Sequence, residues 1–426
     1  MRMKRWLVNV VLIAGSLILT VSVLEGVVRV RALLSSRWPN QHTVCCEYDP
    51  RLGWRHVPNR TAKFKMPEYD VTERFNSRGV RGPEYSLEKP PGEFRIVILG
   101  DSYTEGYTVE FEELFSETLK RRLNERGHRT EVINLGVAGY STDQELLLYQ
   151  SEGKRYRPDL TILMFYDNDV WYNAQEQYLP WGRGSKPVFA LERGELRLTN
   201  VPVPPPAPPQ PAKPDVVVVP AGAPSTTRLK ATLTNHSALY RWTRDAIRSN
   251  SALASVAVAL GIGEPAVGDV IVPVPKEYGI YRDPYDPETA EAWRLTAALI
   301  GQLKREAQAS GSELLVFHVP MRAEVYDEDW NRLKQHHGLS AERWRITRLS
   351  EELRDVLKRL KIDYLDPRED FRAWSKRDRQ DSERLYLKGD GHWSRSGHRV
   401  AGEILTDFIL KHYVERRNGL PSGAAK

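Results

Sequence analysis

Apolar and polar positions follow two regimes along the chain. From Trp6 to Leu24, nineteen successive residues carry no charge. At about 1.5 Å per residue, a helix of that length covers the hydrocarbon core of a bilayer. Arg2, Lys4 and Arg5 precede it, and it runs on into Leu24-Glu25-Gly26-Val27-Val28-Arg29 without a small-x-small cleavage site. A cleaved signal peptide has a shorter apolar region and such a site. The pattern predicts an uncleaved signal anchor within residues 1–37, N-terminus in the cytoplasm and body on the periplasmic or extracytoplasmic side. The charge count nearly ties, since Arg29, Arg31 and Arg37 follow the span. Residues 38–92 read as an irregular lead-in of short extended pieces and turns, such as Asp49-Pro50 and Asn76-Ser77-Arg78-Gly79.

From residue 93 the pattern changes. Three apolar runs, 94–99, 131–135 and 160–165, alternate with helical periodicity over 111–126 and 141–155. Near-continuous apolar strands separated by helices predict a parallel sheet covered on both faces. The alternation stops near residue 170 and resumes with a helix at 287–310, a strand at 314–317, a helix at 341–361, a strand at 362–365 and a final helix at 395–413. The predicted architecture is α/β, with a five-stranded parallel sheet. Its first part is 93–169 and its second 286–416, split by an insertion at 170–285, with a flexible tail at 417–426. Ten of the 28 prolines fall in 201–224, which predicts a loose extended linker, because proline joins neither a ladder nor a helix interior.

Composition narrows the function. Hydrophobic residues at 41% and charged residues at 28% support a real core. The net charge of +6 is interleaved along the helices, so a nucleic-acid groove is not expected. The two cysteines, Cys45 and Cys46, exclude a disulfide framework and a thiolate zinc site. They leave open an unmodified pair or an intermolecular bridge.

The polar residues fall at the ends of strands. The first strand ends in Gly100-Asp101-Ser102, the second leads to Ala138-Gly139-Tyr140-Ser141, and the third ends in Asp167-Asn168-Asp169. Gly389-Asp390-Gly391-His392-Trp393 follows the fifth. Ligands of open parallel sheets bind at this rim. Taken singly, Asp101 and Ser102 suit a helix cap, Gly139 a turn and Asn168 an Asx-turn. Together they suit acyl transfer. A serine hydroxyl exposed at a strand end needs a base, which His392 supplies, and Asp390 two residues earlier orients the imidazole. The backbone N–H groups of Ser102 and Gly139 and the Asn168 amide offer three oxyanion donors.

These blocks resemble the SGNH (GDSL) hydrolase superfamily, over 94–170 and 313–410. Gly100-Asp101-Ser102 is similar to its nucleophile block, Gly139 to its oxyanion glycine, and Asn168 to its Gly-x-Asn-Asp block, with Asp167 in place of glycine. The family's Asp-x-x-His is one residue shorter here, which keeps Asp381 and Asp366 as alternatives to Asp390. The Asp-x-His-Trp form resembles alginate O-acetyltransferase-like SGNH domains. The resemblance implies a flavodoxin-like three-layer sandwich and ester chemistry through a Ser102–His392–Asp390 triad, without metal or cofactor. It predicts an esterase acting on an ester-bearing small molecule or glycan. Two alternatives are an O-acyltransferase acting on a cell-envelope polysaccharide and an inactive membrane-anchored scaffold. Trp393 beside His392 and the insertion aromatics Trp171, Tyr172, Tyr178, Trp181, Tyr240 and Trp242 either stack on sugar rings or anchor the insertion.

Overall fold

The computed structural model describes residues 2–36, 45–178, 184–206, 225–248, 274–377 and 384–414. They fall into two compact units, 1–40 with 207–271, and 41–206 with 272–426. In the first, one helix runs from Arg2 to Ser36, and its stretch Asn9–Val30 is long and apolar enough to cross a membrane. That stretch extends past Leu24, and within it Glu25 is paired to Arg29, at 2.7 Å. The Glu25 carboxylate also accepts the backbone N–H groups of Ala238 and Leu239, capping the helix Ala238–Arg248.

Among the described residues, the second unit contains every strand. β1 (Cys46–Asp49) and β2 (Gly53–His56) form one hairpin, β3 (Thr61–Met66) and β4 (Tyr69–Arg74) another. β5 (Phe94–Gly100), β6 (Thr130–Asn134) and β7 (Leu160–Phe165) follow. Two small pairs come next, β8 (Gln177–Tyr178) with β9 (Gly184–Ser185), and β10 (Val188–Glu192) with β11 (Glu195–Thr199). β12 (Glu313–His318) and β13 (Asp363–Leu365) complete the set. The lead-in is therefore not irregular over 45–74. Its strands are four to six residues long and alternate buried with exposed positions, as in Ala62 and Phe64 against Lys63 and Lys65.

The main sheet has the order β13-β12-β7-β5-β6, all parallel. That is the flavodoxin-like arrangement, with its switch point between the first and third strands, β5 and β7. Successive strand residues point to opposite faces. Val97 and Leu99 face a core shared with the helices Thr142–Ser151, Pro287–Ala309 and Arg348–Leu360, while Ile96 and Ile98 face Phe115–Glu125 and Arg395–Ile409. The three-layer sandwich expected from the sequence is present.

The insertion divides between the units. Residues 170–206 and 272–285 belong to the α/β unit. The proline-rich segment is not loose at its start. Val203 is buried, its N–H donates to the Pro50 carbonyl at 2.7 Å, and Tyr48 donates to its carbonyl. Residues 207–224 lie outside the described residues.

Candidate active site

β5 delivers the chain into a short helix, Ser102–Glu105. Gly100 makes the junction possible, because a Cβ there would meet the Thr104 hydroxyl at 2.0 Å. Asp101 caps the helix through its carboxylate and the Tyr103 N–H, 2.9 Å apart. With capping done by Asp101, the Ser102 hydroxyl is left to face His392. Ser102 Oγ lies 2.8 Å from His392 Nε2, and His392 Nδ1 lies 2.6 Å from Asp390 Oδ1. The structure thus brings Ser102, His392 and Asp390 into one hydrogen-bonded chain. Ser102 is 6% exposed, so the hydroxyl sits recessed at the rim rather than exposed as expected.

Burial pushes the Asp390 carboxyl up, but hydrogen bonding to His392, the His392 charge and the Tyr69 hydroxyl outweigh it, and its pKa ends below the usual carboxylate value. Of the two alternatives, Asp366 is engaged elsewhere. It pairs with Arg368 at 2.9 Å and faces His318 at 3.6 Å, which rules out a role on His392. Asp381 lies outside the described residues.

β6 and β7 flank β5 on either side, so the loops after them border Ser102. Gly139, in the loop after β6, has φ +84°, and a Cβ there would meet the Tyr178 ring at 2.8 Å. Both the conformation and the space call for glycine. Asn168 opens the helix Asn168–Tyr172 after β7. Its Oδ1 is buried without a hydrogen-bond partner. Among the described residues, neither its side-chain amide nor the Gly139 N–H meets an acceptor. Such unspent donors are what a developing oxyanion requires.

The surroundings are acidic. Asp101, Asp143, Glu145, Asp167 and Asp169 are all buried. Burial raises the Asp101 pKa to about 6, and burial together with the Glu324 charge raises Asp167 to about 7. Burial and neighbouring carboxylates hold Glu145 and Asp169 well above the usual range. Lys186, following β9, is buried against Asp143 and donates to the Tyr172 carbonyl at 3.0 Å. One ammonium therefore ties the helix that follows Gly139 to the helix that begins at Asn168.

The hairpins of the lead-in hold the rim. Trp54 in β2 donates to the Ala138 carbonyl at 3.1 Å, and Tyr140 donates back to the Trp54 carbonyl at 2.5 Å. Tyr69 donates to Asp390 Oδ2 at 3.0 Å, and Tyr107 lies 3.0 Å from His392 Nδ1 and 3.3 Å from Asp390 Oδ1. Nothing in the sequence signals these partners. Trp393, expected beside the site, is fully buried and packs edge-on against Tyr103, Phe115 and Phe317. Tyr178 is buried between Trp54 and Tyr172, while Trp242 is exposed and Trp181 lies outside the described residues. Trp393 and Tyr178 thus serve packing, not a sugar.

A family model described as the GDSL-like lipase/acylhydrolase family matches residues 98–400. No curated protein matches the chain. Among solved structures, the acetyl xylan esterase AlAXEase is 13% identical with a TM-score of 0.37, over 74% of this chain and 100% of its own. The lipase/acylhydrolase from Enterococcus faecalis is 12% identical with a TM-score of 0.35, over 78% of this chain and 100% of its own. TesA is 10% identical with a TM-score of 0.35, over 74% and 97%. Likenesses this distant carry no argument about substrate.

Proposed function

Because this chain belongs to the GDSL-like lipase/acylhydrolase family and is an ester-cleaving hydrolase, we propose that it acts through Ser102 as nucleophile, His392 as general base and acid, and Asp390 as orienter. The observation that carries the reading is the unbroken contact chain Ser102 Oγ–His392 Nε2, 2.8 Å, and His392 Nδ1–Asp390 Oδ1, 2.6 Å. Nδ1–H donated to Asp390 leaves Nε2 as the acceptor for the Ser102 proton. Ser102 Oγ then bonds to the ester carbonyl carbon. The oxyanion that forms is met by the Ser102 and Gly139 N–H groups and the Asn168 amide. On collapse, His392 gives its proton to the leaving alcohol and an acyl-Ser102 ester remains. Water, deprotonated by His392, repeats the sequence and releases the acid.

Transfer of the acyl group to a sugar hydroxyl would share every step up to acyl-Ser102. Trp393 and Tyr178 are committed to packing, which favours water as the acceptor. The test is product analysis with a small acetyl ester, with and without oligosaccharide acceptors. Free acetate dominates under both conditions if the reading is right, and acyl-sugar accumulating at the expense of acetate would replace hydrolysis by transfer. In either case the Ser102→Ala variant should lose ~10³-fold or more in rate.

We also read the helix Arg2–Ser36 as a single-pass anchor with the α/β unit on the periplasmic or extracytoplasmic side. Its apolar stretch Asn9–Val30 and the preceding Arg2, Lys4 and Arg5 support this.

A further inference from the structure

The loop that carries Asp390 is tied from outside at two levels by one hairpin tip. It closes on itself through the Leu387 N–H to the His392 carbonyl, 2.9 Å, and the Gly391 N–H to the Leu387 carbonyl, 3.1 Å. Those bonds leave the N–H groups of Lys388, Gly389 and Asp390 pointing outward. The carboxylate of Glu68, in the two-residue turn between β3 and β4, accepts all three at 2.8, 2.8 and 3.1 Å. Gly389 permits the approach, since a Cβ there would meet Glu68 Oε2 at 2.8 Å. The next residue, Tyr69, donates its hydroxyl to Asp390 Oδ2 at 3.0 Å. Asp390 Oδ1 meets His392, so Tyr69 occupies the other carboxylate oxygen. The hairpin is not a free arm. Phe64, Tyr69, Val71 and Phe75 form their own buried cluster with Tyr107, whose hydroxyl also reaches Asp390.

We propose that Glu68 and Tyr69 are positioning residues, a clamp from the β3–β4 tip that fixes the shortened Asp-x-His loop so that Asp390 meets His392 Nδ1. The proposal rests on the triad reading above. It explains how a loop outside any helix or strand holds a carboxylate at 2.6 Å from an imidazole. Glu68 fixes the backbone through charge-assisted bonds to successive N–H groups, and Tyr69 fixes the carboxylate rotamer and shares its charge.

The test is a pair of double-mutant cycles, Tyr69→Phe and Glu68→Gln each combined with Asp390→Asn, assayed on the full chain with a small acetyl ester. Tyr69→Phe keeps the ring and its packing, and Glu68→Gln keeps the shape. Each single variant should lower kcat about tenfold with KM within twofold. In Tyr69→Phe, Asp390 keeps more of its charge for His392, so the acid limb of the kcat/KM profile should move to higher pH. In the Asp390→Asn background both changes should cost less than twofold, because they act through a carboxylate that is gone. Equal penalties with and without Asp390, or full activity with an unmoved pH profile in both single variants, would overturn the clamp. Retained activity in Ser102→Ala would instead overturn the triad reading, and the clamp with it.

Discussion

Asp390 and Asp366 are both carboxylates near histidines, yet they should answer substitution differently. Asp390→Asn keeps the shape but turns a donor toward the imidazole, so it should lower kcat by ~10³–10⁴-fold with the fold intact. Asp366→Asn loosens the pair with Arg368 and should spare kcat, its effect appearing in the unfolding midpoint. Steady-state kinetics and thermal melts on the two variants check this. Asp167 gives a pH signature. Its pKa rises from 3.8 to about 7, first through burial and then through the Glu324 charge. A carboxyl raised in the fold binds a proton that the unfolded chain has released. Its contribution is present below about 4 and lost as pH climbs to about 7. One proton gives a slope of at most about 1.4 kcal/mol per pH unit. Urea unfolding between pH 4 and 7 should therefore show a shallower decline in Asp167→Asn than in the parent, and identical slopes would contradict this. At this scale the contact chain Ser102–His392–Asp390 was legible in the sequence, because the three residues sit in short blocks of small and polar residues. Tyr69 was not, since its partner Asp390 lies 321 residues away and a tyrosine in a short strand reads as packing.

Lys186 shows what the insertion contributes as an element. Its ammonium is buried between Asp143 and the Tyr172 carbonyl, and removing it would strand a buried carboxylate. Lys186→Met should cost about 3–5 kcal/mol, read from urea denaturation, with part of the loss recovered in Lys186→Met combined with Asp143→Asn. A loss below 1 kcal/mol would mean that Asp143 takes up a proton at no cost. The insertion was expected to hold a loose linker at 201–224, because prolines dominate that stretch. Its strands, β8 to β11, are two to five residues long, too short for a periodic pattern, and Val203 is one buried side chain in an otherwise proline-rich run. A deletion meant to spare the α/β unit must begin after Pro206. The five sheet strands were legible for the opposite reason. Buried on both faces, the three central ones, β12, β7 and β5, read as apolar runs such as Ile96 to Leu99.

The whole molecule carries one helix long and apolar enough to cross a membrane and a hydrolase unit whose rim is braced by its own hairpins, β1–β2 and β3–β4. A reporter fused after Lys426 should be active only outside the cytosol, and a cytosolic signal would invert the topology. The sequence carried the apolar span plainly, while its orientation depends on flanking cations that nearly cancel. The central claim is that the serine at the end of β5 forms the acyl-enzyme. Labelling the full chain with a fluorophosphonate and mapping the adduct by mass spectrometry tests it most directly. A single modified residue, Ser102, is expected, with ester cleavage lost in step with labelling and no adduct in Ser102→Ala. An adduct on another residue, or ester cleavage that persists in fully labelled protein, would contradict it.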